Sequence, residues 1–349
     1  MNDSNRRRFL TLCAAAMLAP LAACNRPSEK SGGRDNQLGE TLWKGIALGS
    51  GAELRLYHPD RKQAEQAVNR ALAETARLEK IFSLYRDDSL ISRLNREGRL
   101  KNPPSDLLAV LSLSSEIHHL TQGAFDPTIQ PLWNLYAEHF RRHPNADELP
   151  SAQQMKQTLA LVGFKHITFD EDEIRFHRKG MGLSLNGIAQ GYITDRIVAV
   201  LRQSGIRQAL VDMGEIRVFD DIGERTWTVG IRNPEQENTV LQTLTLKNAA
   251  FATSGGYGTT MDEAGKFTHL FDPRTGISRP KYRSISVMAE TAAVADAFST
   301  AFSIMPEAEI QAAARAKQAK VWLLMPDNQM KTLGKYSGLH LNQYRMALS

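Results

Sequence analysis

The order of two hydrophobic periods constrains this chain more than any other feature of its sequence. Residues 60–82 place Ala64, Ala67, Val68, Ala71, Leu72, Leu78, Ile81 and Phe82 at helical spacing with polar residues between them, the pattern of a helix with one buried face. "SLYRDDS" breaks that helix, a shorter one runs to about Glu97, and "PPSDLLAVLSLSSEIHHLTQG" forms a third with a Pro-rich entry and a Gly exit. "IQPLWNLYAEHF" and one more helix follow, separated by a polar, basic insert at 141–150. Strand patterning dominates elsewhere. It appears first at 41–58, interrupted by "GSG", and then in "HITFDEDEIRFHR", which reads as a hairpin. Further strands are predicted at 181–186, 208–219, 225–231, 240–252, 284–290 and 320–325, with helices at 188–204, 291–304 and 306–317. Helices cluster early and strands late, without strict βαβ alternation, so the fold class is α+β.

The 349 residues suffice for a sizeable core, and no obvious linker divides the chain after residue 41. The formal charge of +5 falls to +3 once the first 23 residues are set aside, because three Arg and one Asp lie there. That is too mild to argue for a nucleic-acid partner.

The start of the chain has its own logic. "NRRRFLT" (5–11) precedes "LTLCAAAMLAPLAA", a short apolar stretch ending just before Cys24. A charged start, a short apolar segment and small residues before a cut are the parts of an export signal. The stretch is too short and Ala-rich for a span of about 20 residues. Arg6-Arg7 followed by Phe9-Leu10 resembles a twin-arginine signal. "LAAC" (21–24) resembles a lipobox, in which Cys24 is diacylated; a plain signal peptide cut near Ala23 is the simpler alternative. Residues 1–23 are therefore expected to be a leader, 24–40 a lipidated polar tether, and 41–349 the folded domain. Asn25, rather than Asp, after the lipidated Cys favours the outer membrane, facing the periplasm. The only other cysteine, Cys13, lies in the leader, so the mature domain has no disulfide, Cys nucleophile or Cys-ligated metal.

No GxxxxGK[ST], HExxH, GxSxG or strand-embedded GxGxxG occurs, which argues against standard NTPases, zincins, α/β-hydrolases and Rossmann enzymes. Five other stretches stand out: "FSLYRDDSLISRLN" (82–95), "GAFDPTIQPLW" (123–133), "SLNGIAQGYITD" (184–195), "FATSGGYG…FTHLFDPRTG" (251–276) and "SISVMAETAAVADAFSTA" (284–301). Each has a plain structural reading. Tyr85 could be a packing aromatic, Asp126 a turn residue before Pro127, Asn186 a helix cap and Ser254 a turn residue, while His269 is ambiguous. A helix start with small residues also suits an anionic phosphate. Asp296 is the least ordinary. It lies four residues before Thr300 in the Ala-rich run "AVADAFSTA", so both polar groups share one helix face. A carboxylate half buried there must be paired, hydrogen-bonded or bound to a metal.

Taken in order, "FSxY…S…SRLN", "GAFDPTxxPLW", "GIAxGYxxD", "TSGxY", "HxxDPxTG" and "ADAxST" resemble the FAD:protein FMN transferases, the ApbE family of flavin transferases. The resemblance runs from about Leu42 through the strand region, nearly the whole mature chain. It implies a single domain of antiparallel-rich sheets flanked by helices. It implies FAD as substrate and a divalent cation, usually Mg²⁺, at the diphosphate, with Asp296, Thr300 and the backbone carbonyl of Gly187 as ligands. A carboxylate, a hydroxyl and a carbonyl are the hard oxygen donors that Mg²⁺ prefers. Tyr85 matches an aromatic packed on the flavin; Ala124, Phe125 and Asp126 match a segment lining the cofactor; Leu48 and Phe271 match further FAD contacts. His269 matches the proposed catalytic base. Ser184 stands where the family usually has an acidic residue and Gln190 where many members have Lys or Glu, so FAD affinity is expected to be altered at two positions.

The activity implied is transfer of FMN from FAD to a Ser or Thr hydroxyl of a target redox subunit, with release of AMP. Two rivals stay open on the sequence: an FAD diphosphatase using water, and a lipoprotein that only binds FAD.

Overall fold

A computed structural model describes residues 38–47, 49–144, 146, 148–236 and 239–337. Its frame is an eight-stranded sheet in which every neighbouring pair is antiparallel. Strands β1 (Gly39–Ala47) and β2 (Ser50–His58) form an edge hairpin; β6 (Gln208–Asp212), β7 (Ile216–Asp220), β10 (Ala249–Gly255), β11 (Ser284–Ala289), β12 (Lys320–Leu324) and β13 (Met330–Gly334) complete the order β1-β2-β6-β7-β10-β11-β12-β13. A ribbon of β8 (Trp227–Arg232) and β9 (Val240–Leu246), and a small sheet of β3 (Arg99–Lys101), β5 (Glu173–Phe176) and β4 (Ile167–Phe169), stand apart. The α+β reading with antiparallel sheets holds.

The sheet is covered by helices whose sequences dictate which face they bury. Helix α1 (Arg61–Phe82) starts at Asp60, whose side chain accepts the Lys62 and Gln63 N–H groups, and buries Ala64, Ala67, Val68, Ala71, Leu78, Ile81 and Phe82. Helices α2 (Leu90–Glu97), α3 (Ser105–Leu120), α4 (Gln130–Arg142) and α5 (Ala152–Leu159) follow. Helix α6 (Ala189–Gln203) packs on α1 and on α7 (Ala292–Phe302), and α7 packs on β10 and β11; α8 (Glu307–Ala316) completes the set. On α7 every residue except Thr300 is buried. Ala at half of those positions lets the neighbouring backbones approach closely, and each apolar side chain removed from water contributes roughly 1.5–3 kcal/mol when it is of Val or Phe size. On the opposite face, the β8–β9 ribbon closes a second core around Val218, Phe251, Met288 and Trp322.

Three predicted strands take a different form. Residues 181–185 are buried at Met181, Leu183 and Leu185, yet form no strand. Their backbone is engaged by a side chain instead: Asn95 Nδ2 donates to the Leu183 carbonyl at 2.9 Å and Asn95 Oδ1 accepts the Leu183 N–H at 2.7 Å. The predicted strand 208–219 is a hairpin, β6 and β7, turning at Gly214 with φ +104°, a conformation glycine adopts at no steric cost. The predicted strand 240–252 splits between two sheets at Asn248, φ +46°. The short β3 and the edge strand β13 lie outside the predicted set. No helix among the described residues is long and apolar enough to cross a membrane.

Candidate active site

The antiparallel register brings several turns to one end of the large sheet. Ala47 pairs with Ser50, Asp212 with Ile216, Ile216 with Phe251, and Gly255 with Ser284. The β6–β7 turn, the β1–β2 turn and the loop after β10 therefore share that end with the N-terminal part of α6.

Helix α7 presents its polar pair there. Asp296 is only 4% exposed, and its Oδ2 accepts the Gly191 N–H at 3.0 Å. Oδ1 accepts no hydrogen bond from the described residues. Burial pushes the Asp296 carboxyl above its ordinary range, against the Gly191 N–H and with help from the Asp195 charge. One turn on, Thr300 faces Gly187 so closely that a Cβ built at Gly187 would lie 2.9 Å from Thr300 Oγ1. Gly187 is thus a cradle that only a residue without a side chain can form. Beside it, the N–H groups of Gly187 and Gln190 meet no acceptor among the described residues, so a helix start with open donors adjoins a carboxylate and a hydroxyl. No group of three or more His, Cys, Asp and Glu among the described residues could hold a metal by itself. One carboxylate, one hydroxyl and backbone carbonyls are hard oxygen donors of the kind a cation such as Mg²⁺ accepts.

Gln190 lies over the β6–β7 turn: a Cβ at Gly214 would meet its Nε2 at 2.6 Å, and that nitrogen donates to Ser50 Oγ at 3.4 Å. Glu215, in the same turn, belongs to none of the sequence motifs. Burial raises its carboxyl well above the usual range, and the charges of Asp296 and Asp212 add to that. Nothing in its local pattern marks it, because Asp296, one of the charges acting on it, lies far along the chain.

The "GAFDPT" segment is joined to the same strip. The Ser184 N–H donates to the Pro127 carbonyl at 2.8 Å. Ala124 and Phe125 are buried. Asp126 is a turn organiser: Oδ1 accepts from the Thr128 N–H and hydroxyl at 2.9 and 2.6 Å, and Oδ2 from the Phe164 N–H at 3.1 Å. Tyr85 sits in the α1–α2 turn and is 59% exposed, and α2 carries the Asn95 that clamps Leu183.

His269 lies in the loop after β10. Its Nδ1 and its backbone N–H both reach the Thr259 carbonyl, at 3.0 and 3.1 Å. A carbonyl only accepts, so Nδ1 carries the proton and Nε2 keeps its lone pair. Burial lowers the His269 pKa below 6.5, the Thr259 carbonyl opposing it. Strand β10, which leads into that loop, is tied to α7 through Ser254, whose Oγ lies 2.7 Å from Ser299 Oγ, while Ser299 donates to the Asp296 carbonyl at 2.9 Å. Phe271 turns its ring into an aromatic cluster, 4.7 Å from the Tyr136 ring. Tyr136 OH donates to the Gly276 carbonyl at 2.8 Å and holds the "DPRTG" turn; burial pushes its pKa up to about 12.

The structure therefore gathers Gly187, Gln190, Asp296 and Thr300, joins Ser184 to Pro127 just after the 124–126 segment, and places His269 in the loop that follows β10, the strand bound to α7 by a serine pair. Leu48 and Cys24 lie outside the described residues. Asn95, Gly191 and Asp195 carry no role on sequence grounds, although all three lie within the quoted motifs.

Comparisons with known proteins give the family and the fold. The sequence model of the ApbE family matches residues 48–324. The FAD:protein FMN transferase of Vibrio cholerae serotype O1 is 27% identical over 327 residues, covering 90% of this chain and 93% of its own. That of Haemophilus influenzae is 27% identical over 327 residues, covering 90% and 92%. Among solved structures, the flavin transferase ApbE from Vibrio cholerae superposes with a TM-score of 0.71 at 25% identity, over 86% of this chain and 98% of that one. The ApbE protein of Thermotoga maritima reaches 0.74 at 24% identity, over 84% and 97%, and speaks to the fold alone. Fold, motif order and family match converge, and the chain belongs to the ApbE family.

Proposed function

We propose that the protein is an FAD:protein FMN transferase: it moves FMN from FAD to a Ser or Thr hydroxyl of a target redox subunit and releases AMP. The observation that carries this is the meeting of the Asp296–Thr300 face with the glycine cradle and open N–H groups at the start of α6. Such a site suits a diphosphate, and relatives across nine-tenths of the chain bear that activity's name.

In this reading the FAD diphosphate lies against the Gly187 and Gln190 N–H groups, with Tyr85 and the 124–126 segment beside the flavin. Asp296, Thr300 and the Gly187 carbonyl would hold Mg²⁺, whose bound charge neutralises the diphosphate and favours departure of AMP. Asp296 is the one carboxylate of that donor set, so a cation held there would depend on the phosphate oxygens of FAD for further ligands. His269 Nε2 takes the proton of the acceptor hydroxyl as its oxygen bonds to the FMN phosphorus. The bond from that phosphorus to the bridging oxygen breaks, and AMP leaves with that oxygen. The product is a phosphodiester on the acceptor. The lowered pKa of His269 keeps Nε2 unprotonated at neutral pH. Ser184 takes the place of a family acid and Gln190 that of a Lys or Glu, so FAD affinity is expected to differ from that of the family, the loss of a carboxylate reducing repulsion of the diphosphate and the loss of a Lys reducing its attraction.

Export by the twin-arginine route and anchoring through a lipid on Cys24 belong to the same reading, as does a periplasm-facing position, with the outer membrane favoured by Asn25. Incubation with FAD, Mg²⁺ and a candidate acceptor, followed by intact mass and nucleotide analysis, tests the function. An acceptor heavier by FMN less one water, with equimolar AMP, is the expected result. Free FMN and AMP with an unmodified acceptor would make the protein a diphosphatase, and unchanged FAD would make it a binding protein.

A further inference from the structure

The mechanism uses Asp296 but leaves unexplained what holds α7 in register against α6. The first turn of any helix has N–H groups with no partner inside the helix. In α7 two of these are taken by a side chain from another element: Ala292 N–H donates to Asp195 Oδ1 at 2.9 Å and Ala293 N–H to Asp195 Oδ2 at 3.0 Å. Arg217 on β7 pairs with the same half-buried carboxylate, so its charge is balanced. Asp195 lies one turn after Gly191 on α6, and Gly191 meets α7 twice. Its missing Cβ would sit 2.3 Å from the Ala292 carbonyl oxygen, and its N–H binds Asp296. The α6–α7 crossing is thus locked at two levels, one turn apart on each helix.

We propose that Asp195 is a positioning residue: it sets the register of α7 on α6 and thereby fixes Asp296 and Thr300 opposite Gly187. The proposal rests on the reading that these residues hold a divalent cation at FAD. Without Asp195 the first turn of α7 loses both acceptors and Arg217 loses its partner. Asp296 then keeps its side chain but not its place. A residue that orients a metal ligand typically changes metal affinity by roughly 10–100-fold when removed, and Asp195→Ala is expected to fall in that range.

The measurement is the Mg²⁺ concentration giving half-maximal enhancement of FAD binding, read by flavin fluorescence on wild type, Asp195→Asn, Asp195→Ala and Ser151→Ala. Ser151 caps α5, its hydroxyl accepting the Gln154 N–H at 3.3 Å, and has no link to α7, so it controls for loss of a helix cap in general. Asp195→Ala should raise the Mg²⁺ midpoint at least tenfold and Asp195→Asn by less, because the amide keeps one acceptor oxygen. Ser151→Ala should leave the midpoint unchanged even where its melting temperature falls. Should Asp195→Ala not fold, Asp195→Asn carries the test, with a shift of threefold or more expected. Midpoints within twofold of wild type in folded Asp195 variants would overturn the positioning role alone. A wild-type protein whose FAD binding ignores Mg²⁺ would overturn the cation reading and the positioning role with it.

Discussion

Helix α7 and the loop carrying His269 supply the two halves of the proposed chemistry, and they are built in opposite ways. The helix is buried at every position but Thr300, and its polar atoms are held by residues from α6 and β10 that are remote in sequence. The loop is organised mainly within itself. The Thr259 carbonyl orients His269, Ser278 Oγ accepts the Thr268 N–H at 2.7 Å, and the Asp272 carbonyl closes the following turn, with Tyr136 as its outside prop. The contrast has a physical basis. A cation site tolerates little error in the separation of its ligands, which rigid packed helices supply; a base needs one oriented lone pair, which a local hydrogen bond can set.

The sharpest way to break this contrast is at the helix crossing. Gly191→Val would drive side-chain atoms into the Ala292 and Ala293 backbone, which cannot yield as a flexible side chain would. The protein should lose several kcal/mol, beyond the roughly 1–3 typical of overpacking, and urea unfolding or the soluble yield will report it. A fully stable Gly191→Val protein would show that α7 is not locked as described.

Asp296→Ala should abolish transfer while the protein still folds, and FAD binding should lose its Mg²⁺ dependence. Full transfer by a metal-replete Asp296→Ala protein would remove this residue from the site. His269→Ala should instead retain FAD and Mg²⁺ binding and slow transfer by roughly 10²–10⁴-fold. The pH dependence has a definite sign. The base works unprotonated and burial lowers its pKa, so wild-type transfer should hold as pH falls to 6.5 and decline only below it. His269→Ala should lack that limb. An acid limb that survives unchanged in His269→Ala would contradict the assignment.

A smaller effect should sharpen the comparison from the loop's side. Tyr136→Phe deletes one buried hydrogen bond to the Gly276 carbonyl, worth about 1 kcal/mol, with up to about 3 if the carbonyl is left unsatisfied. Transfer should slow while the Mg²⁺ midpoint for FAD binding stays put, because the helix site is independent of the loop's prop. A shifted midpoint would mean the two regions are coupled. Least of all for the folded domain, Cys24→Ala should leave the melting temperature and the transfer rate in detergent unchanged but release the protein from membrane fractions. Retention after a high-salt wash would argue against the lipid anchor.

Much of the fold and part of the site are legible in the residues alone. The sorting of helical and alternating periods announces an antiparallel α+β architecture. The i,i+4 pair in an Ala-rich run marks Asp296 and Thr300, because helix geometry is local and carries its face assignments in the spacing itself. Motif order carries the family. Other features require the tertiary structure because they are pairings between distant segments. Residues 181–185 have the alternation of a strand, and the burial that goes with it, but the Asn95 amide takes up the Leu183 backbone groups that a neighbouring strand would have bonded. Strand periodicity runs straight through the turn at Gly214 and the sheet change at Asn248, since a pattern of side chains says nothing about where the backbone reverses. Gly187 and Gly191 read as permissive residues; that one admits Thr300 and the other the backbone of α7 depends on where two helices cross. Asp195 likewise has the right chemistry for a cap, but the helix it caps is not its own. Local spacing determined which residues share a face, and only packing decided what each face meets.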